Sequence, residues 1–583
     1  MKFIISTIGF LFCLLYSTHV IQAQSILKEG TWVKVALTES GVYKITYDEL
    51  LQMGLPKAPS VHIYGNGAKE LPLINSNELP SVLNEIAIWI EKGSDNIFNS
   101  GDYILFYGEA TSGWIYDTVQ SMYTYMSHPY CSMNYYYITT NSTAPKIIQT
   151  SSQVTQPHTK TTSTFDDLYI YEQNTVNPLK SGRMWFESIS NKTVTFSIPN
   201  IAIQEPTYIH TQIAGRHYDT GKFFIKINNQ AFDTISVWNT SNNNPYAVLQ
   251  SSRKQYTASS TNLSIQISTN ISGVDSRAFL DFCSIHARSR LSFNNSQLLF
   301  RDIQSVAPNS CTQFEINSNT QATIWDISSP ANPQKIITHF SNNTITFKAL
   351  SSQLHEYIAF SNQFKSVTFV STVQNQDILS DTDFDMIIIY NNPSFIPYAQ
   401  QIASVHETYD GLRTRIVNQQ DIFTEFSAGR IDISAVRNYV RWVYTKNNGK
   451  LQYVLLFGDG TYNNSLCNNN SNYIVTFQSN ESLYSHASFV SDDFFGLLEN
   501  GKGVNSQDKF IGELDIAIGR FPVNTIKEAE AVTQKTIDYI TNPSHRGDWQ
   551  NILCMLADDA DDNQTFHMSD ADNLAQNIIT EYP

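Results

Sequence analysis

From residue 384 onward the hydrophobic pattern switches between two periods, and this leaves few architectures open. Residues 384–390 form a short apolar run of the kind buried on both faces of a sheet, and 396–409 repeat apolar side chains at helical spacing. A short strand at 415–417, a helix at 433–444 and a second apolar run at 451–457 follow. The series continues with a strand at 514–521, a helix to about Tyr539, a strand at 551–557 and a last helix running into Pro583. Strands alternating with helices predict a parallel sheet with helices on its faces. Such sheets bind ligands beyond the carboxyl ends of their strands. Gly458-Asp459-Gly460 and Asp558-Asp559 stand at two of those ends, so chemistry is expected there.

Upstream the pattern is different. Residues 24–150 alternate apolar and polar side chains in short runs at 31–37, 61–64, 86–90 and 103–107, with Gly and Asn between them. A β-rich amino-terminal domain is predicted. Residues 141–164 are rich in Ser, Thr, Gln and Pro and read as a linker or long loop. The spacing of strands and turns within 151–290 predicts an antiparallel sandwich, 291–365 a smaller β segment, and 366–583 the α/β domain. A chain of 583 residues needs several cores, and a composition 41% hydrophobic and 12% aromatic can fill them. The fold class is therefore multidomain, with β-rich amino-terminal domains followed by an α/β domain.

Residues 1–23 read as a secretory signal peptide, with Lys2, an apolar stretch over 3–16 and Ala23 before the cleavage point. That stretch is shorter than the roughly 20 residues a spanning helix needs. The mature chain is thus expected to be exported, either extracellular or at the cell surface and outer membrane. A net charge of −16 with no polybasic patch excludes nucleic acid as a partner. Five cysteines remain outside the leader: Cys131, Cys283, Cys311, Cys467 and Cys554. They contain no CxxC pair and are odd in number, which suits packed thiols better than a disulfide framework or a zinc site.

Gly458-Asp459-Gly460 lacks the glycine spacing and lysine of a phosphate loop, and a turn needing Gly is the simpler reading. Asp492 and Asp493 precede Phe494-Phe495-Gly496, and Asp558, Asp559, Asp561 and Asp562 follow the 551–557 run. These carboxylates, with Asp459, could contribute to a structural calcium site, or they form solvated acidic loops. No cofactor is otherwise required. Cys467 with His486, and Cys554 with His545 or His567, are the pairs to weigh for thiol catalysis. None has the local signature of an activated thiol, and Cys554, inside an apolar run, is expected to be a core residue.

Ser491-Asp492 and Gly496, then Ile518-Gly519-Arg520-Phe521, then Trp549 before a Cys-bearing run stand in one order. That order resembles the gingipain-like cysteine peptidases over 451–583. Glu39 to Lys44 and Tyr64 to Gly67 are similar to the amino-terminal region of the type IX (Por) secretion sortases within that family. The resemblance implies a caspase-like sheet in which the catalytic His and Cys follow later strands. Both are expected beyond Pro583, so this chain reads as a fragment without peptidase activity, its α/β domain incomplete. Asp559, with Asp558 one step away, matches the acid that supports the histidine. Aligning the last helix places Met568, with Asp570 nearby, where Arg-specific members carry an acid, so basic specificity does not carry over. The implied substrates are secreted proteins with carboxy-terminal signals, and the implied partners are outer-membrane secretion components. Two readings from other classes stand beside this one: a non-catalytic surface binding or scaffold module, and a carbohydrate-binding sandwich.

Overall fold

Alternation along the amino-terminal strands builds three β-sandwiches in a computed structural model that describes residues 24–203, 205–240, 245–558 and 566–581. In the first, Val33, Val35, Ile45, Ile63, Phe106 and Ile138 point between two sheets. One sheet centres on Trp32–Leu37, Asn134–Asn141 and Ser60–Gly65, and the other pairs Gly41–Thr46 with Tyr103–Gly108. The strand Thr368–Val373 returns to close the first of these sheets beside Trp32–Leu37. The second sandwich stacks the sheet of Thr164–Glu172, Arg277–Arg290, Pro206–Arg216 and Val248–Thr257 on four further strands. The third lies within the stretch to residue 360. It takes in Gln149–Thr150 and Lys160–Thr162 as short parallel edge strands, so the polar stretch at 141–164 is paired into the fold instead of running free.

The α/β domain follows the expected order. Strands β1 (Met386–Tyr390), β2 (Thr414–Asn418), β3 (Tyr453–Phe457) and β4 (Ala517–Phe521) form one parallel sheet in the order β2-β1-β3-β4. Helices α1 (Ile396–Tyr409), α2 (Gln419–Ser427), α3 (Ile433–Lys446), α4 (Ile526–Thr541) and α5 (Phe566–Glu581) connect or follow them. Ile387 and Ile389 pack toward α3 with Val436 and Val440, while Met386 and Ile388 pack toward α1 with Ala399 and Ile402. Burial on both faces is why the strand reads as an unbroken apolar run. Asp432 caps α3 by accepting from Ser434 N at 2.8 Å.

One expected strand is absent. Residues 551–557 are not in the sheet: Asp548–Asn551 makes a single 3₁₀ turn and 552–558 have no regular structure. Strand β4 pairs only with β3, and no described strand lies beside 552–558. Without a ladder or a facing layer, Ile552, Leu553 and Leu556 stay exposed, at 68%, 67% and 89%. The expectation that Cys554 is a core residue is corrected for the same reason: it is exposed.

The first sandwich and the α/β domain are joined through buried arginines. Arg437 donates to Leu73 O and Pro72 O at 2.5 and 2.6 Å, and Arg441 donates to Ser76 O and Glu78 O at 2.6 and 3.0 Å. Arg430, just before α3, reaches Asn66 O, Gly67 O and the Asn134 side chain. Gly503 closes the same junction with φ +143°, where a Cβ would sit 2.0 Å from Leu73 O.

Candidate active site

At the carboxyl ends of β1, β3 and β4 the chain turns sharply and its polar side chains cross-link the turns. Gly458 takes φ +156°, and a Cβ there would stand 2.8 Å from Asn472 O. The close approach lets Asp459 exchange backbone hydrogen bonds with Asn472 O and Ile474 N at 3.0 and 2.9 Å. The Asp459 carboxylate accepts from Gly460 N and from Asn524 Nδ2, which ties the end of β3 to the turn after β4. Asn391, at the end of β1, donates to Cys467 O and Tyr473 O at 3.3 and 3.0 Å.

Arg520 on β4 holds the centre of this surface. Its Nε and Nη2 bind the Asp492 carboxylate at 2.7 and 2.8 Å, and the same guanidinium donates to Gly458 O, Ile474 O and Val475 O. The planar fork suits a bidentate carboxylate and several carbonyls at once. We expect Arg520→Ala to cost about 1–2 kcal/mol, since the pair is partly solvated, and to loosen the 473–476 segment locally. Faster amide exchange at Val475 with little change in global unfolding is the expected result.

Asp492 is thus engaged by an arginine and by Thr476 Oγ1, while Asp493 is exposed. Asp558 is exposed at the end of its segment, and Asp559, Asp561 and Asp562 lie outside the described residues. Among the described residues no three His, Cys, Asp or Glu side chains are grouped to hold a metal ion. Met568 and Asp570 are exposed on α5.

The thiols do not meet the histidines. Burial pushes the Cys467 thiol up to about 12, and exposed His486 stacks on Tyr484 instead. Cys283 is pushed up to about 12 and Cys131 to about 11, again by burial, with Thr211 and Ile431 as their hydrogen-bond partners. His545 and His567 are exposed, and no described cysteine hydrogen-bonds a histidine. Asn391 and Arg520 are the members of this surface that spacing alone did not single out as functional. Their signal was position, just past the end of β1 and within β4, with β3 between them.

A parallel sheet flanked by helices, with cross-linked turns at its carboxyl edge, defines an α/β domain of the class that places its chemistry at the strand ends, and comparison makes the class specific. Residues 379–583 match the model of peptidase family C25. The fold of nearly the whole chain is similar to dimeric latent PorU from Porphyromonas gingivalis, with a TM-score of 0.78 and 21% identity. That likeness covers 93% of this chain and 53% of PorU, so the chain spans about half of that relative's length. A partial overlap with the CBM36-1 domain of a xylanase from the Trinervitermes trinervoides hindgut metagenome has 11% identity, a TM-score of 0.15, and 20% and 96% coverage. It carries no argument. No protein with a curated description matches the chain.

Proposed function

We propose that this chain works in type IX secretion as part of a gingipain-like, sortase-type cysteine peptidase that processes the carboxy-terminal signals of secreted cargo. The observation that carries the reading is one chain holding both a C25 match and the strand-rich modules in the arrangement of PorU. In that chemistry a thiolate attacks the peptide carbonyl, a histidine moves the proton, and backbone N–H groups hold the oxyanion. Cargo and outer-membrane secretion components would be its partners. Export would use the leader at 1–23, which lies outside the described residues; among those described, no helix is long and apolar enough to cross a membrane.

We further propose that the 583 residues alone do not hydrolyse peptides, because every described thiol is either buried and raised or lacks a histidine partner. Incubating the purified chain with a peptide spanning a cargo tail is expected to give no cleavage. Cleavage abolished by iodoacetamide would overturn the inactivity claim. Disrupting the gene in its source organism tests the secretion role separately: cargo should keep its carboxy-terminal signal, and normal processing would sink that role.

A further inference from the structure

A cleft of about 710 Å³ opens where three modules meet, and it is separate from the strand-end surface. One wall is the outer face of the sheet in the second sandwich. The opposite wall is the hairpin of Ser112–Asp117 and Met122–Ser127, and the loop carrying Asn463 and Asn480 closes one end.

Strand alternation decides what the sheet presents. Ile209, Ile213, Cys283 and Ile285 turn into the sandwich core, which leaves Gln212 and Ser284 facing the cleft. The register shifts between Gln212 and Ile213, opposite Phe282 and Leu280, so Asp281 is the extra residue of a bulge and also lines the cleft. Asp281 is only 9% exposed and Ser284 only 7%. Asp281 accepts one hydrogen bond, from Gln212 Nε2 to Oδ2 at 2.6 Å, and the Ser284 hydroxyl has no partner among the described residues. Glu172, beside them, accepts only from Asn174, at 3.2 Å.

Burial pushes the Asp281 carboxyl up to about 6, and the one charge acting on it is a second carboxylate, Glu172. Buried carboxylates are ordinarily answered by a cation, and among the described residues that line the cleft there is no lysine and one arginine, Arg183. That guanidinium is already paired with Glu70 at 2.6 Å. Across the gap, Trp114 and Tyr125 form an edge-to-face pair with centroids 5.2 Å apart. Such rings take the aliphatic stem of a long side chain or the face of a guanidinium. A neutral sugar would satisfy Ser284 and leave both carboxylates without a counter-charge.

We propose that this cleft binds an extended polypeptide by inserting a Lys or Arg side chain between Asp281 and Glu172 on one wall and Trp114 and Tyr125 on the other. The site does not depend on the peptidase reading, and its test involves no cleavage.

The test titrates the full chain with acetyl-Gly-Ser-Arg-Ser-Gly-amide, with the same peptide carrying citrulline for arginine, and with cellotriose. Calorimetry and tryptophan fluorescence report binding. The arginine peptide should bind at least tenfold more tightly than the citrulline peptide, with an affinity that falls as salt rises. Asp281→Asn, which keeps the shape of the side chain, should weaken it at least tenfold, and the more exposed Glu172→Gln about threefold. If Asp281→Asn does not fold, Glu172→Gln alone decides. Equal binding of the two peptides, binding of the sugar only, no effect of the variants, or no binding at all would each overturn the proposal.

Discussion

Replacing Arg437 with alanine is expected to cost about 2–4 kcal/mol and to loosen residues 72–75 against the α/β domain, while Arg430 and Arg441 still hold 66–67 and 76–78. The side chain is 1% exposed and ends in two hydrogen bonds to main-chain carbonyls of Pro72 and Leu73. Removing it takes one of two donors from each carbonyl, leaving Leu73 O with Val504 N and Pro72 O with Ser434 Oγ, both at 3.1 Å, and each lost hydrogen bond to a charged donor is worth about 1.5–3 kcal/mol. It also empties the space over the Phe494 ring, which the guanidinium now covers at 4.6 Å. Lysine is a poor rescue, because a single ammonium cannot reproduce the fork that spans two carbonyls. The effect should concentrate at the junction. Asn75 N and Val504 N, which bond across it to Lys502 O and Leu73 O, should lose protection from amide exchange first. A loss of stability below about 1 kcal/mol with both amides still protected would show that the arginine is dispensable there.

This clamp was invisible to a pattern reading, and the reason is physical. Arginines four apart on a helix, as Arg437 and Arg441 are, ordinarily mark a solvated face. Here the helix is buried all round because a distant segment supplies carbonyls to the guanidinium groups. The α/β order was legible, because strands buried on both faces and helices buried on one carry different periods; α1 begins and ends where its apolar spacing does. Helix α2 was not legible. It is nine residues long and starts directly after β2, whose last residue, Asn418, is also its N-cap. Composition hid the edge strands Gln149–Thr150 and Lys160–Thr162 because a two- or three-residue edge strand needs no apolar face. The opposite error, a strand expected at 551–557, shows that apolar side chains declare a need for burial while the partner strand that would meet it is a property of the fold. For the site, Gly458 and Asp459 were legible as a strand-end turn. The hold of Arg520 on Asp492 across 28 positions was not.

Glutamine in place of Glu425 should stabilise the protein by up to about 3 kcal/mol at pH 8 and by almost nothing at pH 4. Glu425 lies in α2, is 1% exposed, and accepts a hydrogen bond from Ser25 Oγ at 2.6 Å. Burial pushes its carboxyl from 4.5 up to about 7, opposed by hydrogen bonds from Ser25 and Gln376. Below pH 4.5 the group is protonated in both the folded and unfolded chains and contributes no pH dependence. Between about 4.5 and 7 the unfolded chain gives up its proton while the folded chain keeps it. Fewer protons on the unfolded state mean that stability falls as pH rises through this window, and above 7 the loss is complete. An amide keeps the acceptor that Ser25 uses and has no proton to lose, so the variant escapes that loss. Denaturant unfolding at pH 4, 6 and 8 should show the gap between variant and parent opening with pH. A gap that is the same at all three values would mean that Glu425 loses its proton over the same pH range in the folded and unfolded chains, and that the contact with Ser25 does not require a neutral carboxyl.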